Sequence, residues 1–399
     1  MSQHEFLSSS ETIDLFSKYV FANYTRYPVV LVRGKGSYVW DADGKKYLDM
    51  FPGWAVSGLG HCHPRVVKAV RKQVGMLIHV ANNFYMEPQG RLAKLLSEHS
   101  FGGRCFFCNS GAEANEAAIK LARISTPKGK YKIVTFENSF HGRTLAAISA
   151  TAQPKYHAGF EPIVEGFSYV PFNNLEAVAN AVDDATCAVM VEPIQGEGGI
   201  NVATPEFLQG LRRLCDDRGL RLIFDEVQTG MGRTGEYFAY QLYNVTPDMM
   251  TLAKALGGGA PIGALVAKSE VAAYFVPGTH ASTFGGNPLV TSAAIAVFEA
   301  IEQEGLLANA RTLGDYVQSQ LRKMAKRQKM IREVRGVGLM IGIQLDREGA
   351  DIVKKCLERG LLINCTHGNV LRFMPAMTAG KREVNAALRI LKKVLSEVA

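Results

Sequence analysis

The sequence predicts an α/β protein, with a larger domain on a mostly parallel sheet and a smaller α+β domain beside it. Three observations carry this. Short, almost wholly apolar runs recur at residues 105–108, 132–136, 188–191, 220–224, 249–252 and 262–267. Runs so short and so apolar fit strands covered on both faces. Helical patterns lie between several of them, and strands alternating with helices imply a parallel sheet. After Asn287-Pro288 the pattern changes to charged helices and short strands.

The elements can be justified in order. Tyr38-Val39-Trp40 before the Asp41-Ala-Asp-Gly44 turn reads as a strand, and the first 57 or so residues are expected to pack with the C-terminal part. Residues 112–123, rich in Ala, Glu, Ile and Leu, read as a helix. Thr204-Pro205-Glu206 opens another, with Thr as N-cap, Pro at the first position and an acid in the first turn; Gly219 closes it. One long helix is expected over 289–327, strands over 338–345, 361–364 and 370–373, and a last helix over 381–398.

Hydrophobic residues make up 47% of the 399, which excludes disorder as the general state. Lys and Arg number 45 against 37 Asp and Glu, a balance of +8 that suits anionic small ligands. No nucleic-acid signature is present, and the basic cluster Arg322, Lys323, Lys326, Arg327 and Lys329 reads as a solvated helix face. No apolar run reaches the ~18 residues of a membrane span, and residues 1–18 lack the apolar stretch of a secretory leader. The seven cysteines are odd in number and mostly within apolar segments, so reduced thiols and a cytoplasmic location are expected. Cys105-Phe-Phe-Cys108 reads as core strand, and His61-Cys62-His63 as a turn without a metal.

Chemistry is suggested by three features. Asn109-Ser110-Gly111-Ala112, between a strand and a helix, offers backbone N–H groups to a phosphate. Asp225 follows an apolar strand, at the end where open α/β sheets bind ligands. Lys254 stands between apolar residues and Gly257-Gly-Gly259; a lysine in apolar surroundings loses basicity and its free amine can form a Schiff base. A phosphate cradle, an acid and a lysine are what pyridoxal phosphate requires. Separately, each feature has an ordinary structural explanation: a common α/β turn, an N-cap acid, a lysine snorkelling at a strand end.

With these features the chain resembles the class III, fold-type I aminotransferases. The resemblance runs from Asn23-Tyr24 to the last helix. Its segments are Gly60-His-Cys-His-Pro64, Asn109-Ser-Gly-Ala-Glu-Ala-Asn115, Ser139-Phe-His-Gly-Arg-Thr144, Val191-Glu-Pro-Ile-Gln-Gly-Glu-Gly-Gly199, Phe224-Asp-Glu-Val-Gln228, Leu252-Ala-Lys254 and Ser282-Thr-Phe-Gly-Gly-Asn-Pro288. It implies a seven-stranded large domain over 58–288 and a small domain from 1–57 and 289–399. It implies that Lys254 carries pyridoxal phosphate and shuttles the proton, and that Asp225 pairs with the ring nitrogen. Phe140 and Val227 would cover the ring faces and Gln228 would reach the ring hydroxyl. Ser110, Gly111 and Ala112 would hold the phosphate, with Thr283 added from a partner subunit and Glu226 close by. Arg143 would bind the distal carboxylate of the donor, with Ser282 of the neighbouring subunit and Tyr24 near it. Arg372 would grip the α-carboxylate of 2-oxoglutarate, and Glu197 would neutralise it while the donor is bound. A homodimer with shared sites follows from the same resemblance. The implied substrates are N2-acetylornithine and 2-oxoglutarate in arginine biosynthesis. Ornithine, succinylornithine, succinyldiaminopimelate and 4-aminobutyrate remain alternative donors, and an aminomutase of the same fold a more distant one. Trp54, Ala81 and Ala112 depart from the family pattern and bear on the donor pocket rather than on Lys254 or Asp225.

Overall fold

The computed structural model of the chain describes residues 7–398; residues 1–6 and 399, which include the start of the leader reading and the outer limits of the expected small domain, lie outside the described residues. Seven strands form the central sheet in the order Arg104–Cys108, Gly263–Ala267, Met249–Leu252, Arg221–Asp225, Thr186–Val191, Lys132–Phe136, Phe167–Val170. All run parallel except Gly263–Ala267, which is antiparallel to both neighbours. Six of the seven coincide with the apolar runs. The Thr186–Val191, Met249–Leu252 and Gly263–Ala267 strands are buried at every position, as strands covered on both faces should be. The seventh, Phe167–Val170, is an edge strand whose Ser168 and Tyr169 face partly outward, so no apolar run marked it.

The Pro205–Arg218 helix starts and stops where its sequence signals lie. Thr204 Oγ1 accepts the Phe207 N–H at 3.2 Å, and Gly219 takes φ 63°, the left-handed conformation that ends a helix. The N-terminal strands Leu31–Lys35, Tyr38–Asp41 and Lys46–Asp49 form a sheet completed by Leu361–Leu362, parallel to Lys46–Asp49. The Met374 N–H also donates to the Met50 carbonyl at 2.7 Å. Residues 46–50 thus pair with residues 361–374, far along the chain.

Three expectations are corrected. The long helix over 289–327 is two helices, Pro288–Gln303 and Leu306–Ala325, because Gly305 adopts φ 62° between them. The strand expected from 338 is a hairpin of Ile331–Val337 and Met340–Leu345, with Gly338 in the turn at φ 55°. Its first strand lies at a sheet edge, where Arg332 and Glu333 face solvent and hid the pattern. The run 361–364 divides between two sheets, as Leu361–Leu362 and Asn364–Thr366. The cysteines are all unpaired thiols, and His61 Nε2 sits 2.8 Å from Asp49 Oδ2; the basic cluster is solvent-exposed, but only Arg322 and Lys323 lie on the Leu306–Ala325 helix, while Lys326, Arg327 and Lys329 fall in the turns after it.

The Leu306–Ala325 helix lies so close to the Gly338 turn that a Cβ at Gly314 would overlap the Gly338 carbonyl. Gly314→Ala is therefore expected to cost about 1–3 kcal/mol in urea denaturation. Gly90, in the Glu87–His99 helix, has nothing within 4 Å of its would-be Cβ, and Gly90→Ala should instead raise stability by up to about 1 kcal/mol.

Candidate active site

Five strands of the central sheet lead to one cavity of about 460 Å³. The strand ending at Cys108 leads to Ser110 and Gly111, and the one ending at Phe136 leads to Phe140, His141 and Arg143. The strand ending at Val191 leads to Glu192 and Glu197, and the one ending at Asp225 to Val227 and Gln228. A fifth, Met249–Leu252, delivers Lys254.

Lys254 opens a 3₁₀ turn with φ 42°. A non-glycine residue held there stores about 1–3 kcal/mol of strain, which the surrounding fold sustains. Burial holds its pKa below the ordinary lysine value of 10.5, against the pull of the Glu197, Asp225 and Glu192 carboxylates. The amine is thereby shifted toward its neutral, nucleophilic form.

Asp225 is 4% exposed and accepts three hydrogen bonds, which leaves Oδ1 with acceptor capacity toward the cavity. Its Oδ2 accepts from His141 Nδ1 at 2.7 Å and from Asn115 Nδ2 at 2.8 Å, and its Oδ1 accepts the Val227 N–H at 3.0 Å. Burial alone would depress the His141 pKa, but the hydrogen bond and charge of Asp225 outweigh it and raise it above 6.5.

The Gly111–Ile124 helix points its N-terminus at the cavity, with the Ser110 hydroxyl accepting the Glu113 N–H at 3.2 Å. The first amides of a helix have no partner within it, so those of Gly111 and Ala112 suit an anion. Gly111 is required by space, since a Cβ there would come within 2.7 Å of Val227 Cγ1. Gln228 is buried, yet neither its Oε1 nor its Nε2 has a partner in the chain. Phe140 lines the cavity and meets Tyr156 edge to face at 5.7 Å. The exposed Arg143 guanidinium lies 4.1 Å over the Tyr156 ring and 5.6 Å over that of Phe140, which orients it without neutralising it.

Beside the cavity, Arg372 is 1% exposed and donates to Glu197 Oε1 at 2.5 Å. Asn364 Oδ1 accepts from its Nε at 2.8 Å, and its guanidinium lies 4.5 Å over the Phe51 ring. Burial pushes the Glu197 carboxyl up, but Arg372 outweighs burial and holds it below the ordinary value.

Lys254, Asp225, Ser110, Gly111, Ala112, Phe140, Val227, Gln228, Arg143 and Glu197 therefore share one cavity wall, with Arg372 bonded to it. Four residues do not join them. Glu226 faces away from Asp225, as successive residues at a strand end do. Its carboxylate accepts the N–H groups of Ala239 at 2.6 Å and Tyr240 at 2.8 Å and the Thr229 hydroxyl at 2.9 Å. Glu226 is thus a structural acid rather than a cofactor neighbour, pushed up to about 7 by burial. Tyr24 is 66% exposed, with Arg26 5.4 Å from its ring centroid, and lies outside this chain's cavity. Thr283 is exposed, and Ser282 Oγ is engaged by Asn109 Nδ2 at 3.3 Å and by the Gly285 N–H at 3.1 Å. Both lie on a loop outside the cavity of the chain that carries them. Sequence reasoning missed Asn115, His141 and Glu192. Asn115 was visible as one polar residue among Ala112, Ala114, Ala117 and Ala118; for the other two only their place in the quoted motifs gave a signal.

A model of the family described as aminotransferase class III matches residues 19–395. The chain is a class III aminotransferase. It is 54% identical to the acetylornithine aminotransferase of Caldanaerobacter subterraneus subsp. tengcongensis, over 96% of this chain and 98% of that one. It is 52% identical to the acetylornithine aminotransferase of Methanocaldococcus jannaschii, over 98% and 100%. The ornithine aminotransferase of Toxoplasma gondii, whose crystal structure shows partial occupancy of PLP at the active site, superposes with a TM-score of 0.93 at 34% identity, covering 98% of this chain and 95% of that one.

Class III aminotransferases use pyridoxal phosphate, and this cavity fits it. It has a buried lysine of lowered pKa, a carboxylate fixed by His141 and Asn115, unpaired helix amides and a buried amide side chain still wanting partners. Because the His141 pKa rises on folding, its pairing with Asp225 adds stability that is fully present below 6.5 and fades as pH climbs through the folded value. His141→Gln keeps a donor but not the proton linkage. In urea denaturation of cofactor-free protein, the deficit of His141→Gln should shrink between about pH 6 and about pH 9; a constant deficit contradicts the pairing.

Proposed function

We propose that this aminotransferase moves the terminal amine of N2-acetylornithine to 2-oxoglutarate by a ping-pong route, giving N-acetylglutamate 5-semialdehyde and glutamate. The observation that carries the reading is the Glu197–Arg372 ion pair beside Lys254. An enzyme that alternates between a donor without an α-carboxylate next to its reacting amine and an acceptor with one needs a cation it can mask. The pair is closed here, the state suited to the donor. Opened, the Arg372 guanidinium is free for the acceptor carboxylate, while Arg143 binds the carboxylate at the far end. The acetylornithine aminotransferases at 54% and 52% identity support the choice of donor and a place in arginine biosynthesis.

The chemistry that pyridoxal phosphate supplies is an aldehyde for the amine and a ring that accepts electrons. Lys254 Nζ, kept low in pKa by burial, would hold the cofactor's aldehyde and then serve as the base beside the substrate's amine-bearing carbon. Asp225, held by His141 and Asn115, would set its carboxylate against the ring nitrogen. Gly111 and Ala112 would hold the phosphate, Phe140 and Val227 would cover the ring, and Gln228 would take the ring hydroxyl.

The working unit in this reading is a homodimer in the cytoplasm, with Ser282 and Thr283 contributed across the interface and Tyr24 near a donor carboxylate. Tyr85 at 107% and Phe21 at 89% exposure are apolar surface of the kind a subunit interface covers. A large domain over 58–288 and a small one from 1–57 and 289–399 belong to the same proposal. Among the described residues no helix is long and apolar enough to cross a membrane.

The deciding experiment presents holoenzyme alone with acetylornithine, ornithine, succinylornithine or 4-aminobutyrate and follows the cofactor's visible absorbance. Acetylornithine should bleach it fastest; a faster rate with ornithine or 4-aminobutyrate overturns the donor assignment. Arg372→Ala should raise KM for 2-oxoglutarate by about 100-fold and that for acetylornithine by less than about tenfold. Equal losses would remove Arg372 from the acceptor site.

A further inference from the structure

Glu192 lies in the wall of the cavity, yet the proposed chemistry gives it no task. It directly follows the Thr186–Val191 strand and is 7% exposed. Its two oxygens reach different loops: Oε2 accepts the Phe140 N–H at 2.9 Å, and Oε1 accepts the Gly196 N–H at 3.3 Å. The first loop runs on to His141 and Arg143; the second carries Glu197.

The peptide next to Glu197 is held from other sides too. The Gly196 carbonyl accepts from Arg372 Nη1 at 3.3 Å, and the Glu197 carbonyl accepts the Thr366 hydroxyl at 2.7 Å. There is no slack at Gly196, where a Cβ would overlap Gln228 Oε1. Such a clasp requires a carboxylate. Both of its oxygens accept, whereas an amide of the same shape accepts with one and turns N–H toward a donor with the other.

We propose that Glu192 is a positioning residue: it ties the Phe140–Arg143 loop to the Glu197 loop, so that the Glu197–Arg372 pair opens by side-chain rotation while the backbone stays in place. The proposal rests on the reading of Glu197 and Arg372 as the substrate switch. Burial pushes the Glu192 carboxyl up to about 7, with Asp225 adding to the rise and His141 opposing it. An acid kept in the wall against that cost is consistent with a task there.

The test is a double-mutant cycle on holoenzyme. Glu192→Gln is made alone and together with Glu197→Ala, and the acetylornithine half-reaction is followed by absorbance. If Glu192 acts through Glu197, Glu192→Gln should lower kcat/KM by about tenfold or more beside an intact Glu197, and by less than about twofold when Glu197 is already Ala. A general structural role would give equal losses in both backgrounds; that result, or no loss in the first, overturns the clasp. Glu197→Ala alone separates the two ideas: if it handles both substrates as wild type does, the switch itself fails and the proposal with it. Should Glu192→Gln not fold, Glu192→Asp keeps the charge, is one methylene too short to reach both N–H groups, and should give the same pattern.

Discussion

Asp225 is a buried acid, and the rest of the site depends on how its carboxyl group is held. A buried carboxylate without donors takes up a proton or destabilises the fold. Here every lone pair that matters is directed: His141 and Asn115 hold one oxygen and the Val227 amide the other. Each donor belongs to a different element. Asn115 rides on the Gly111–Ile124 helix, His141 on the loop after Lys132–Phe136, and Val227 on the turn that follows Asp225 itself. Satisfying one buried side chain therefore ties the Gly111–Ile124 helix, the Phe140 loop and the Val227 turn to one another.

The same accounting extends across the cavity. Lys254, His141 and Arg372 stand among Asp225, Glu192 and Glu197. Charges of opposite sign in one small volume of low polarity attract each other strongly. The lowered basicity of Lys254 survives three neighbouring carboxylates because burial outweighs them.

Much of this was readable beforehand, for physical reasons. A strand buried on both faces must be apolar throughout, so 132–136 and 249–252 declared their limits without ambiguity. Caps are local, so Thr204 and Gly219 bracketed their helix. What stayed hidden depends on the surroundings. Gly305 breaks a helix only because the chain must turn there, and Arg332 and Glu333 sit in a strand only because that strand is an edge. Within the site, Lys254, Asp225 and Gly111 were legible from short-range context. The His141–Asp225 contact spans 84 residues of sequence and could not be read from spacing. Glu226 misled because adjacency in sequence places side chains on opposite faces of a strand end.

The anchored peptide at Gly196–Glu197 has a consequence for timing. With the main chain restrained, the opening of the Glu197–Arg372 pair proposed above would require only torsions about side-chain bonds. Such rotations take on the order of nanoseconds to microseconds, whereas enzymes of this kind commonly complete about 1–1,000 cycles each second. Under the proposed switch, readiness for the second substrate would be set long before that substrate arrives, and the tempo of the cycle would be left to the chemical step and to the departure of products.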